Sequence, residues 1–333
     1  MLYDQFVLEG YEKVVVTGGL GFIGRHVVRG LLALGLDVTV VDNALTASES
    51  ALPVGATLVL ADIRDADQTT KALAGADLVF HLAANSNGTF SVTNPRFDFE
   101  TNVTGTFNVF EAAACGGARR LVYMSSASVY GVPQRFPMDE DHPTQPFIPY
   151  GASKLAGEVI SRSLFHSSGL PVVAGRPFCV YGPGENPRIA LVEVSRYLRW
   201  HLNHRPIQVV GDADRKTRDF VHVSDVVAAL LLIADLAPAG EVFNIGSGQE
   251  VSMRELATTI GTATGRPAVI EELPQVTQDT YRLVAGISKL RALGYVPRTS
   301  LDAGVRELAA QLGEAPELPG VTTIFAQGQH AEH

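Results

Sequence analysis

Val14-Val15-Val16-Thr17-Gly18-Gly19-Leu20-Gly21-Phe22-Ile23-Gly24 decides the fold. Three consecutive valines read as a buried strand, and a helix-period segment follows from Phe22 to Leu34, closed by Gly35. Between them stand glycines at 18, 21 and 24. In such a strand–turn–helix unit the first glycine permits a tight turn. The second lets backbone approach a pyrophosphate, and the third lets the helix pack on the strand. The next apolar run, Val38 to Val41, ends at Asp42, 24 residues after Gly18. A carboxylate there accepts hydrogen bonds from ribose hydroxyls and repels a 2′-phosphate, so the pattern predicts a dinucleotide site and favours NAD over NADP.

The rhythm continues outward. Strands are predicted at Thr57–Leu60, leading to Asp62-Ile63, and at Leu78–Leu82, leading to Ala83-Ala84. Further strands are Leu121–Met124, running into Ser125-Ser126, and Val172–Ala174, running into Arg176-Pro177-Phe178. Helices fall at Asn102–Ala114 and Gly151–Phe165. Alternating strand and helix over some 180 residues means an α/β, Rossmann-type doubly wound parallel sheet. After Tyr181-Gly182-Pro183-Gly184 the elements become shorter and mixed, giving a smaller C-terminal α/β substrate lobe. It has helices at Ile189–Leu202, Ser252–Thr264 and Leu301–Leu312 and a strand at Pro206–Val210, while Glu241–Ile245 rejoins the main sheet. The expected boundaries are 1–180 for the dinucleotide-binding domain, with returning elements near 215–248, then 181–315 for the lobe and 316–333 for a poorly ordered tail.

Composition narrows the function. The 333 residues carry 26 Lys and Arg against 35 Asp and Glu, a net charge of −9, which argues against a nucleic-acid surface. Cys115 and Cys179 are the only cysteines, so neither a disulfide framework nor a zinc site is expected, and a reducing cytoplasm fits. The N-terminal segment lacks the basic and apolar regions of a signal peptide. The run Val226–Ala234 is too short to span a bilayer and reads as a buried helix.

Tyr150 and Lys154 stand four residues apart, on one helix face. Using a phenol as a base near neutral pH requires lowering its pKa by about 3 units, or ~4 kcal/mol. A cation about 4 Å away at an effective dielectric near 20 supplies roughly that much. Ser126 ends a strand on the carboxyl side of the sheet, where ligands bind in such folds. Asp62-Ile63 is a candidate for the adenine edge, or simply a surface loop.

With these motifs in this order, the sequence resembles the extended short-chain dehydrogenase/reductase family, in particular its NAD-dependent nucleotide-sugar epimerases and dehydratases. Further matches are His81-Leu82-Ala83-Ala84, Asn102-Val103-Thr104-Gly105-Thr106, Ser125-Ser126-Ala127-Ser128-Val129-Tyr130-Gly131 and Thr217-Arg218-Asp219-Phe220-Val221-His222. The resemblance implies that Tyr150 takes a proton from a sugar hydroxyl while Ser126 bonds the same oxygen and Lys154 binds nicotinamide ribose. It implies NAD contacts at Gly18, Gly21, Phe22, Ile23, Gly24, Asp42 and Asn43, then at Asp62, Ile63, Leu82, Ala83, Ala84, Asn102 and Phe178. Nucleotide-sugar contacts are implied at Ser126, Tyr150, Cys179, Arg188, Gln208, Val209 and Arg218. Family dehydratases place acidic residues after the catalytic Ser or Thr, whereas here Ala127 and Ser128 follow. The chain therefore resembles the 4-epimerases, most closely those acting on UDP-sugars. A dehydratase, an epimerase at another carbon and a non-catalytic NAD sensor are the alternatives.

Three positions depart from the family pattern. Cys179 replaces an Asn that donates to the diphosphate, Val276 an expected second arginine, and Ser86 a lysine found in some epimerases. Resemblance also implies a homodimer through the helices carrying Val103, Phe107, Val109, Phe110, Leu155, Ile160 and Leu164.

Overall fold

The computed structural model describes residues 8, 10–189, 192–275 and 280–319. Its first half alternates as the sequence predicts. In order come β1 (Lys13–Thr17), α1 (Phe22–Ala33), β2 (Asp37–Asp42), β3 (Thr57–Leu60), α2 (Ala66–Leu73) and β4 (Leu78–His81). The short helices α3 (Gly88–Thr93) and α4 (Pro95–Phe99) follow, then α5 (Gly105–Cys115), β5 (Arg120–Met124), α6 (Pro149–Ser168) and β6 (Val172–Pro177).

Beyond β6 lie β7 (Cys179–Tyr181), α7 (Glu193–Leu202), β8 (Ile207–Val210), β9 (Thr217–Arg218), β10 (Phe220–His222), α8 (Val223–Leu236) and β11 (Val242–Ile245). The chain ends with β12 (Val251–Ser252), α9 (Met253–Thr264), β13 (Ile270–Leu273), β14 (Arg282–Leu283), α10 (Ser288–Ala292) and α11 (Leu301–Leu312).

Seven strands form one parallel sheet in the order β11-β6-β5-β4-β1-β2-β3. The order reverses between β1 and β4, and ligands of open α/β sheets bind beyond the carboxyl ends at such a switch point. Strands covered on both faces run largely apolar, as β4 and β5 do apart from His81 and Arg120 at their ends. Accordingly every residue of β4 and β5 is buried. Val27, Leu31, Val226, Leu230 and Ile233 from α1 and α8 close one face. Leu73, Val109, Phe110 and Ala113 from α2 and α5 close the other. A third core, with Val194, Leu198, Trp200, Val209, Leu256, Ile260 and Leu308, belongs to the elements after β6.

Helix ends follow local chemistry. Gly35 takes φ +80° just past α1, and Gly169 takes φ +73° after α6. Ser252 and Glu255 form a reciprocal capping box on α9, and Ser300 caps α11.

Some expectations fail. The helix expected from Asn102 begins instead as a π turn over Glu100–Thr104 before α5. The helix expected from Ile189 starts at Glu193. The segment expected to be a loose tail is tied at its start: Pro316 O accepts from Asn203 Nδ2 at 2.8 Å, and Glu317 O accepts from Arg199 Nη1 at 2.7 Å. Residues 320–333 and Val276 lie outside the described residues. No helix among the described residues is long and apolar enough to cross a membrane.

Candidate active site

The glycine turn is built tightly against the switch point. Gly18 takes φ +73°, and a Cβ there would lie 2.6 Å from the Ala83 nitrogen; one on Gly24 would overlap the Gly18 carbonyl. Leu82 N donates to Thr17 O at 3.1 Å, seating the Leu82-Ala83-Ala84 stretch against the turn. Asp42 spans the turn and the end of β2: Oδ2 accepts from Leu20 N at 3.1 Å and Oδ1 from Ala44 N at 2.9 Å. The N-terminus of α1, at Gly21, Phe22 and Ile23, has neither a side-chain cap nor an acidic residue in its first turn. Gly21 N donates to Gly18 O at 3.1 Å, while the orphan N–H groups of the first turn and the helix dipole suit an anion.

Asp62 lies just beyond the end of β3. Arg64 grips its carboxylate through Nε at 3.0 Å and Nη2 at 2.6 Å, and Asn43 Nδ2 adds 3.1 Å. The Arg64 hydrogen bond holds this carboxyl at about 2. The Ile63 side chain is buried and lies against Gly105.

Ser126 follows β5, and Tyr150 and Lys154 occupy the first turns of α6, so the fold brings the three together. Ser126 Oγ accepts from Ser128 N and donates to Ser128 Oγ, both at 3.1 Å. Lys154 is buried, its Nζ donating to Met124 O at 2.9 Å and lying 5.2 Å from the Tyr123 ring centre. Tyr123 OH in turn donates to Lys154 O at 3.2 Å.

Burial raises the Tyr150 phenol to about 12 against the lowering effect of its hydrogen bond with Ser126, and Asp98 adds to the rise. Burial also lowers Lys154, to about 8, opposed by Asp98. The ammonium is anchored by Met124 O and keeps its positive charge while bonded there.

A buried network backs the trio. Glu158, one turn beyond Lys154, accepts from Ser125 Oγ at 2.5 Å and from Arg176 Nε and Nη2 at 2.8 and 2.6 Å. Arg176 Nη1 reaches Tyr130 OH at 2.8 Å, which donates to Asn244 Oδ1 at 2.6 Å. Phe178, also buried, lies 6.3 Å from the Tyr130 ring. Sequence reasoning missed this network, along with Asp98 and Asn85.

The expected sugar-nucleotide residues divide. Arg218 is buried against Glu193, Nε to Oε1 3.4 Å. Burial would raise Glu193, yet Arg218, Arg196 and Lys216 hold it below its usual value. Cys179 heads β7, and burial pushes its thiol well above the ordinary range, leaving a neutral, weak donor. Val209 points into the third core, so only its backbone remains for a ligand, while Gln208 donates to Glu271 at 3.1 Å. The Arg188 side chain is 80% exposed and paired with Glu317 at 3.0 Å. Ser86 lies between Asn85, whose nitrogen donates to Asn102 Oδ1, and Asn87, the cap of α3.

The model of the NAD dependent epimerase/dehydratase family matches residues 14–246. The chain belongs to that family. It is 37% identical over 301 residues to the UDP-glucose 4-epimerase of Mycolicibacterium smegmatis, covering 88% of this chain and 96% of that one. The UDP-glucose 4-epimerase of Thermotoga maritima, solved with UDP-glucose, superposes with a TM-score of 0.85 at 30% identity, covering 90% and 97% of the two chains. That of Thermus thermophilus, solved with NAD, gives 0.82 at 33% identity over 90% and 98%. As a member of this family the protein is an NAD-dependent epimerase or dehydratase of nucleotide sugars. The residues present fit NAD: a glycine turn so tight that a Cβ at Gly18 or Gly24 would strike backbone, an uncapped helix N-terminus for the pyrophosphate, and Asp42 beside them for a ribose.

Proposed function

We propose that this protein is a nucleotide-sugar 4-epimerase acting on a UDP-sugar. One observation carries the choice between epimerase and dehydratase. Ser126 is followed by a 3₁₀ turn, Ala127–Val129, in which Ala127 is buried and Ser128 bonds back to Ser126. That turn holds no carboxylate to remove a C5 proton or expel a C6 hydroxyl.

NAD, held by the Gly18–Gly24 turn, Asp42 and Lys154, would supply the hydride acceptor. Tyr150 takes the proton from the sugar's O4, with Ser126 bonded to the same oxygen and fixing its position. Lys154, anchored on Met124 O, presents its remaining N–H bonds to the nicotinamide ribose. With NAD bound, the C4 hydrogen would leave as hydride to give a 4-keto sugar and would return to the other face of the same carbon. Tyr150 returns the proton, so the net reaction is an inversion at C4 with no change in composition. Arg218 is the residue we assign to the diphosphate, released from Glu193 when the nucleotide arrives.

Incubation with UDP-, dTDP-, CDP- and GDP-sugars in deuterium oxide, with NMR of the products, tests the reading. A 4-epimer without deuterium in its carbon skeleton is expected. Deuterium at C5 or C3, or loss of the 6-hydroxyl, refutes it in favour of a dehydratase or another epimerase.

We further infer a homodimer through α5 and α6. Val109 and Phe110 cover the sheet, and Ile160 and Leu164 pack against the same core, but Phe107 and Val159 remain exposed on these helices, with Phe99 close by in sequence. Sedimentation at micromolar concentration checks it; a monomer refutes it.

A further inference from the structure

Asp98, on α4, is 1% exposed. Its Oδ1 accepts from Asn85 Nδ2 at 2.7 Å and Asn102 Nδ2 at 3.1 Å. Its Oδ2 has no hydrogen-bond partner among the described residues. A sealed carboxylate with one oxygen unpaired is expensive unless a nearby charge compensates it. The groups facing Lys154 are few: His81 on β4, Tyr123 on β5, Tyr150 and Glu158 on α6, and Asp98. Burial holds His81 at about 3, hence neutral, and Glu158 is neutralised by Arg176 at 2.6 Å. Asp98 is thus the anion left to act on the lysine.

Asp98 also reaches the tyrosine through a chain of hydrogen bonds. The π turn over Glu100–Thr104 contains Asn102, whose Nδ2 meets Asp98 Oδ1, Asn85 O at 3.0 Å and Ser153 Oγ at 3.1 Å. Ser153 Oγ donates to Tyr150 O at 3.0 Å, and Tyr150 N donates to Ser91 Oγ at 3.1 Å. Both backbone groups of the tyrosine are therefore held. π turns recur where a side chain must be re-aimed at a functional site.

We propose that Asp98 is a positioning residue for the Tyr150–Lys154 pair, acting through Asn102 and Ser153 on the tyrosine backbone and through its free oxygen on the charge of the lysine. The proposal rests on the chemistry given above for this pair, but not on which sugar is turned over. It predicts that a protein lacking the Asp98 charge discharges Lys154 at lower pH. Asp98→Asn keeps an acceptor for Asn85 and Asn102 and removes only the charge.

The experiment is calorimetric titration of NAD into the nucleotide-stripped full chain between pH 6 and pH 9.5 (roughly the stable range of such folds). The wild-type affinity should fall as pH rises through about 8, where Lys154 discharges. In Asp98→Asn the bend should move down by about one pH unit or more, and in the charge-retaining Asp98→Glu it should stay in place. An unmoved bend in Asp98→Asn, with or without lost affinity, overturns the electrostatic role and leaves Asp98 merely structural. Ser153→Ala tests the relay separately, including the case where Asp98→Asn does not fold. It should lower turnover about tenfold or more without moving the bend. Wild-type turnover in Ser153→Ala overturns the relay.

Discussion

Replacing Glu158 with Gln should be among the most damaging single-atom changes available in this chain. The carboxylate receives Ser125 Oγ at 2.5 Å and two guanidinium bonds from Arg176 at 2.8 and 2.6 Å, all in a region without solvent. An amide keeps one acceptor and turns its own N–H₂ toward a cation. Arg176, 5% exposed, then loses one of its two carboxylate bonds and the compensating charge, keeping the amide oxygen, Tyr130 OH and Glu140 O as acceptors. Breaking one side of a buried pair costs about 3–5 kcal/mol, because the orphaned charge stays in a low dielectric. At roughly 2 °C per kcal/mol for a large chain, the melting temperature should fall by about 6–10 °C. Urea unfolding should be followed both by far-UV circular dichroism and by fluorescence of Trp200, the single tryptophan, which sits in the third core. Coincident curves would license the two-state treatment. The double variant Glu158→Leu/Arg176→Met removes both charges together and should be more stable than either single variant, a coupling of about 2 kcal/mol or more. Single variants costing under about 1 kcal/mol, or a double variant equal to the sum of the singles, would refute the reasoning.

Other outcomes follow from the same geometry. Tyr150→Phe removes the proton acceptor and should lower kcat at least about 100-fold while NAD remains bound; near wild-type turnover places the base elsewhere. Gly24→Ala sets a Cβ into the Gly18 carbonyl, so NAD binding measured by titration should fall by about 100-fold or more, and wild-type affinity counts against the cradle. His81, between Thr17 at 2.7 Å and Thr106 at 2.9 Å, is held neutral at about 3 by burial. Its folded pKa is depressed, so its contribution is complete above about 6.5 and lost as pH falls toward 3. The wild-type urea midpoint should drop across that window, at most about 1.4 kcal/mol per pH unit from this group, and the drop should flatten in His81→Gln.

What was legible in the sequence was what short-range chemistry dictates. Gly18, Gly24 and Asp42 announce themselves because the turn and the strand end beside it impose their own residue types. Tyr150 and Lys154 are readable because one helix face fixes their spacing. Asp98 and Asn102 were harder: their pairing depends on a π turn, and nothing in Glu100–Thr104 marks a departure from α geometry. The Glu158–Arg176 and Arg188–Glu317 pairs join residues 18 and 129 apart, a registry that only the packed fold sets. The anchoring of Lys154 was hidden for a related reason, because spacing says where an ammonium can reach but not that Met124 O holds it. Burial was likewise invisible, and it moves both groups away from the values the charge argument assumed.

The path of the chain through the sheet has a consequence for recombination. After β6 the polypeptide departs, builds much of the third core, and returns through α8 to lay β11 beside β6 in parallel register. Arg120, on β5, donates to Ile233 O at 2.7 Å and to Ala237 O at the end of α8, and Lys289 later ties back to Val242 O at 2.7 Å. A crossover placed after Tyr181 would therefore strip the sheet of its edge strand and the helix over one face, not merely exchange a neighbouring module. Chimeras of this scaffold need paired joints on either side of an excursion, such as 182–216, so that α8 and β11 stay with the sheet they complete.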